Sequence, residues 1–177
     1  MGQNLVFVSG VHGVGKSTIC KAICNELNLY YLSASELIKW SEFNRDPANK
    51  LVEDISKTQE RLVSALNFSR QQGGNCLLDG HVCLFNSKSE VTRISLQTFE
   101  LINPSIMCVI TGTPHEIEES QKQRGGQVYS RRLIEEMQNS EVAHARQIST
   151  DLNVPLIQVH RSLLTYLILE IKTILKL

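Results

Sequence analysis

The sequence has no excess of either charge: 18 Lys plus Arg stand against 18 Asp plus Glu. That excludes a globally basic coat, and with it general nucleic-acid binding as the main theme, although a local basic patch is still allowed. Long apolar runs are lacking as well. No stretch reaches the roughly 18 residues a membrane span needs. The longest candidate, Leu163 to Leu169, is short and interrupted by Thr165 and Tyr166. A strand-like segment begins almost at once, at Asn4, so no signal peptide is expected. The Met1-Gly2 start misses the myristoylation pattern, because Val6 stands where Ser or Thr is wanted. Cysteine pairs at metal or redox spacing are missing. Cys20, Cys24, Cys76, Cys83 and Cys108 make an odd count with no C-x-x-C. Each lies in or beside an apolar stretch, so reduced, buried thiols in a cytoplasmic protein are expected. There is also no internal repeat, low-complexity tract or linker.

What is present fits one domain of 177 residues, 42% hydrophobic and 20% charged, enough for a sizeable core. Short apolar runs alternate with helical ones, which predicts an α/β fold with a parallel sheet. Leu5-Val6-Phe7-Val8 is the first run. Ile19, Cys20, Ile23, Cys24 and Leu27 then recur at helical spacing. Tyr30-Tyr31-Leu32 fits a second strand, and Ser33-Ala34-Ser35-Glu36 has the spelling of a capping box. Lys50 to Gln72 carries a helical stripe stopped by Gly73-Gly74. Cys76-Leu77-Leu78, Ile106 to Ile110 and Pro155 to Val159 complete five strands. Thr113-Pro114-His115-Glu116 is a second capping box with Pro at the first helical position. Helices follow over Arg131 to Thr150 and along Leu163, Leu167, Ile171, Ile174 and Leu175.

Residues 10–17 read Gly10-Val11-His12-Gly13-Val14-Gly15-Lys16-Ser17, the G-x-x-x-x-G-K-S spelling of a phosphate-binding P-loop. Glycines let the backbone curl so that successive amides point at phosphate oxygens. The following helix adds its unsatisfied N-terminal amides and positive dipole end. Gly10, His12, Gly13, Val14, Gly15, Lys16, Ser17 and Thr18 are therefore the nucleotide-binding candidates. Lys16 reaches the β- and γ-phosphates, and the Ser17 hydroxyl is a Mg²⁺ ligand. His12 is expected to face solvent. A triphosphate site also needs an acid for Mg²⁺. Asp79, at the carboxyl end of Cys76-Leu77-Leu78, stands where ligand groups gather in open α/β sheets.

Gly10 to Thr18, followed by Asp79-Gly80-His81 with Cys83 and Phe85 after it, resembles the archaeal-type and nuclear adenylate kinases, a branch of the P-loop nucleoside monophosphate kinases. The resemblance continues through Arg124-Gly125-Gly126 to Gln138 and Glu141. It implies a P-loop sandwich of five parallel strands with helices on both faces, a monophosphate-binding helical insert over residues 33–72 and a short lid over 122–130. It implies transfer of the ATP γ-phosphate to a nucleoside monophosphate, with ATP and Mg²⁺ as cofactors. On matching positions, Lys16 holds the donor phosphates, Ser17 and Asp79 hold Mg²⁺, His81 lies near the phosphates and Arg124 neutralises the transferring group. On the acceptor side Ser33, Ser35, Arg45 and Arg61 are candidates, set against their ordinary use as caps and solvated helix charges. The pattern also departs from the family. Val82-Cys83-Leu84 follows His81 where an acceptor-binding arginine is usual, and Arg131 and Arg132 read equally as lid arginines or as surface charges.

Two other functions stay open at this level. A P-loop ATPase acting as a switch or partner-regulating module is favoured by the missing arginine, and a protein partner is compatible with it. A kinase of another small molecule or of a nucleic-acid end is the third. A GTPase is disfavoured, because Asn49-Lys50-Leu51-Val52 fails the base-reading motif at its fourth position.

Overall fold

A computed structural model of the chain describes residues 3–43, 55–70, 73–85, 90–125 and 127–177. The strand of the first apolar run, β1 (Leu5–Ser9), is buried at every position. It forms the centre of a five-stranded parallel sheet. Its neighbours are β3 (Cys76–Asp79) on one side and β6 (Ile106–Thr111) on the other. β2 (Tyr30–Ser33) lies beyond β3, and β7 (Leu156–His160) beyond β6. A strand covered by helices on both faces must be apolar throughout, which is why these runs read as continuous rather than alternating.

Helix α1 (Lys16–Leu27) packs with α7 (Leu164–Leu175). On the opposite face α3 (Ile55–Arg70), α4 (Leu96–Ile102) and α6 (Arg131–Leu152) form a connected row, with α2 (Ala34–Phe43) against α3 and α5 (Pro114–Arg124) against α6. Phe7 and Phe99 meet edge to face in the core with centroids 5.3 Å apart. All five cysteines are buried and free, as expected. Burial pushes the Cys24 and Cys83 thiols up to about 12, so both stay protonated and unreactive at neutral pH. Among the described residues no helix is long and apolar enough to cross a membrane.

The five parallel strands appear where the sequence puts them, but the segment between β3 and β6 holds more than one connection. After Asp79 the chain makes a small antiparallel hairpin, β4 (Cys83–Phe85) with β5 (Val91–Arg93), and then α4. Three-residue strands are too short to leave a periodic signal. Helix α5 runs to Arg124 and is capped by Gly125 in a left-handed conformation, φ 68°. The first three residues of the expected loop, Lys122 to Arg124, are therefore helix. The capping box at its start is complete. Thr113 Oγ1 accepts from Glu116 N at 3.2 Å, and Glu116 Oε2 accepts from Thr113 N at 2.7 Å. Ser33, read as the first residue of the other box, ends β2, and its hydroxyl meets Ser35 Oγ at 3.0 Å.

Candidate active site

Register decides what meets at the carboxyl edge of the sheet. Val8 pairs with Asp79 across β1 and β3, and Ser33 pairs with Asp79 across β2 and β3. Gly80 N donates to Val8 O at 3.0 Å. The P-loop leaves β1 one residue later, so Asp79 and the loop rise side by side from adjacent strands. Gly10 has φ 148° and Gly13 φ 94°. A Cβ at Gly10 would stand 2.6 Å from the Ile110 carbonyl, and one at Gly13 would stand 2.7 Å from Gln121 Cγ. The glycines are thus required by contact as well as by backbone angle.

Helix α1 opens on Gly15 in a left-handed conformation, with no side-chain cap and no acidic residue in its first turn. Its N-terminal amides and positive dipole end remain available to an anion. Lys16 is buried, with Nζ donating to Gly10 O at 2.7 Å and lying 3.5 Å from His81 Nε2. Burial pulls the Lys16 ammonium below its usual range, opposed by the charges of Asp79 and Glu141. His12 is exposed, as expected. Partial desolvation depresses its affinity for a proton, helped first by the Lys16 charge and then by its neighbours His81 and Arg124. Arg124 is exposed at the end of α5, yet its charge is felt at both His12 and Lys16.

Tyr31, which sequence reasoning treated only as part of a strand, ties Ser17 to Asp79. Its hydroxyl donates to Asp79 Oδ2 at 3.1 Å and shares a hydrogen bond with Ser17. Burial, then the Asp79 charge, push this phenol up to about 12. The Ser17 hydroxyl and the Asp79 carboxylate are hard oxygen donors beside the uncapped N-terminal end of α1, a set that suits Mg²⁺.

Other polar anchors were missed or only partly seen. Gln121 is buried and bridges the P-loop to the loop after α5: Nε2 donates to His12 O at 2.8 Å, and Oε1 accepts from Tyr129 N at 2.9 Å. Gln138 clamps Gly112 through both its amide atoms, at 2.9 and 3.0 Å. Glu141 is completely buried and accepts from Val82 N at 3.2 Å and Cys83 N at 3.4 Å, with His81 Nδ1 3.3 Å from Oε1. A signal for Glu141 was available. It falls on the same helical stripe as Ile134, Met137, Ala145 and Ile148, where a carboxylate has no place without partners.

Of the acceptor-side candidates, Ser33 ends β2 beside Asp79 and Ser35 lies in the first turn of α2, their hydroxyls 3.0 Å apart. Arg61 is buried in α3, so its alternative reading as a solvated helix charge is corrected. Arg45 lies outside the described residues. Arg131 bonds Glu118 at 2.8 Å and lies 3.0 Å from His115 Nδ1, while Lys122 pairs with Glu119 at 2.9 Å. Both are engaged at the surface, and Arg124 takes part in neither pair. Beside His12 and His81 lies a cavity of about 100 Å³, walled by Val11, Cys83, Phe85, Tyr129 and Met137.

A sequence-family model described as AAA domain matches residues 9–148. An adenylate kinase from Borrelia duttonii (strain Ly) is 29% identical over 109 residues, covering 57% of this chain and 50% of that protein. The chain thus spans about half the length of that curated relative. An unliganded sugar kinase from Janibacter sp. HTCC2649 superposes with a TM-score of 0.61 at 16% identity, over 99% of this chain and 95% of its own. A shikimate kinase from Bacteroides thetaiotaomicron also gives 0.61, at 12% identity, over 99% and 100%. At such identities these structures speak for the fold: a five-stranded parallel sheet with helices, as in P-loop kinases.

Proposed function

The chain belongs to the AAA domain family of P-loop proteins, and from that premise we propose that it is a phosphotransferase that moves the ATP γ-phosphate to a small acceptor. The observation that carries the reading is the convergence of Lys16, Ser17, Asp79 and His81 at the uncapped end of α1. Phosphoryl transfer asks little covalent chemistry of a protein; it asks for in-line positioning and positive charge around the transferring oxygens. The loop amides and Lys16 grip the β- and γ-phosphates. Ser17 and Asp79 would hold Mg²⁺, which would supply charge neutralisation at the phosphates when bound. Arg124 swings its charge over the γ-phosphate, and the loop following it excludes water, the competing acceptor.

The acceptor is a nucleoside monophosphate in the first reading, supported by the adenylate kinase relative and the Asp79-x-His81 spelling. Residues 33–72 would then be its helical insert and 122–130 its lid. The apolar cavity beside His81 favours a second reading, a hydroxyl-bearing small molecule with an apolar body. The deciding experiment offers Mg·ATP with a panel of monophosphates and hydroxylated small molecules. Stoichiometric ADP and phosphorylated acceptor supports transfer and names the acceptor. Inorganic phosphate alone, indifferent to every acceptor, supports the ATPase switch instead. Failure of nucleotide triphosphates to bind the folded protein sinks all three.

A further inference from the structure

His81 sits between two groups of opposite hydrogen-bonding character. On the Nδ1 side is Glu141, with no exposure to solvent, already accepting from Val82 N and Cys83 N. On the Nε2 side is Lys16 Nζ at 3.5 Å, and an ammonium can only donate. A carboxylate can only accept. The ring therefore has one neutral arrangement that satisfies both neighbours, with the proton on Nδ1 and the lone pair on Nε2. We propose that Glu141 is a positioning residue that fixes His81 in this tautomer, so that Nε2 faces the P-loop as a hydrogen-bond acceptor. The proposal rests on the phosphotransferase reading for its consequence, but not for its geometry.

The placement is specific. Glu141 lies midway along α6, whose first turn follows directly on the loop after α5. One carboxylate thus fixes the ring through Nδ1 and the backbone just after it through Val82 and Cys83. His144, one turn further along α6, holds the other end of the hairpin, with Nε2 2.7 Å from Ile94 O. The hairpin and the ring are thereby set as one unit against the phosphate loop. Nε2 is then pointed at whatever O–H group, of acceptor or of water, approaches the γ-phosphate. Among the described residues, the other charged or titratable groups around that space include Lys16, Asp79, His12, Arg124 and Cys83.

The test begins with the unaltered protein, ¹⁵N-labelled and nucleotide-free. The ring of His81, assigned by its loss in His81→Ala, should show a protonated Nδ1 and a pyridine-like Nε2. A protonated Nε2 with a bare Nδ1 overturns the proposal, whether or not the protein transfers phosphate. In Glu141→Gln the amide opposes the same donors, and the tautomer mixture should shift toward Nε2–H. Turnover should fall by about 10-fold or more with KM for ATP within about 2-fold. Adding Glu141→Gln to His81→Ala should cost little more, because both act through one ring. Losses that multiply, or an unchanged ring spectrum in Glu141→Gln, would assign Glu141 to holding the hairpin alone. If no acceptor is ever phosphorylated, the transfer reading fails while the ring spectrum still decides the tautomer.

Discussion

The two sides of the site are built in different ways. On the donor side, position is set by backbone. Adjacent parallel strands fix Asp79 beside Val8, glycines with no room for a Cβ fix the loop, and Lys16 and Glu141 are buried. On the rim proposed for the acceptor, charge is carried by surface groups at helix ends: Arg124 is exposed, and Lys122 and Arg131 are spent on Glu118 and Glu119. A sheet register cannot slip without turning a whole face outward, so the donor half is rigidly specified. An exposed arginine on a helix terminus can move with little loss of packing. If the proposed function holds, the half that would grip a polyphosphate is ordered in advance, whereas the half that would enclose a second substrate is carried by exposed side chains.

That contrast can be broken by experiment. The largest effect belongs to the donor half: Lys16→Ala should lower kcat/KM by ~100-fold or more, about 3 kcal/mol of transition-state stabilisation. A loss under threefold would mean that the buried ammonium does not serve the phosphates. Next, Asp79→Asn should raise the Mg²⁺ concentration for half-maximal turnover by roughly 30-fold while Tyr31 keeps a neighbouring acceptor. Titration with EDTA and Mg²⁺ measures this, and an unaltered curve removes Asp79 from the metal set. On the rim, Arg124→Ala should cut kcat by about 10-fold and leave Tm unchanged, since the side chain is exposed. If Tm falls instead, the arginine is structural and the contrast between halves weakens.

The smallest effect lies away from both halves, at the start of α5. Thr113→Ala removes the cap and should lower Tm by roughly 2–4 °C. Its partner Glu116 is held at about 2, against an ordinary 4.5, mainly by hydrogen bonds from Thr113 and then by His160. A carboxylate depressed on folding contributes stability above its unfolded value and loses it as pH falls through the folded one. The Tm difference between wild type and Glu116→Gln should therefore be full above about pH 4.5 and vanish toward pH 2. A gap independent of pH would contradict the cap.

The same division explains what could be read from residues alone. The P-loop, the five parallel strands and the Thr113 box are encoded within a few consecutive residues, so spelling suffices. The place of Asp79 beside the loop could be read because a strand end next to a P-loop spelling stands at the sheet's carboxyl edge. Tyr31 was not, because its role depends on the pairing of β2 with β3 and on α1 lying above. Glu141 lies sixty residues from His81, and only the packing of α6 joins them. The hairpin escaped because three-residue strands carry no period. That Arg61 is buried could not be read, because its environment is a helix face shared with other elements rather than its own sequence neighbours.

The parked ammonium of Lys16 has a cost for the empty protein. Its 2.7 Å bond to the Gly10 carbonyl replaces only part of the hydration it gave up. A buried cation with no anionic partner in direct contact among the described residues is a standing load on the fold. Lys16→Met, matched in length and free of charge, should therefore melt at a higher temperature than wild type without nucleotide and gain nothing from adding it. This corner is less durable than it could be, and under the proposed function a polyphosphate arriving there would complete the fold as well as occupy it.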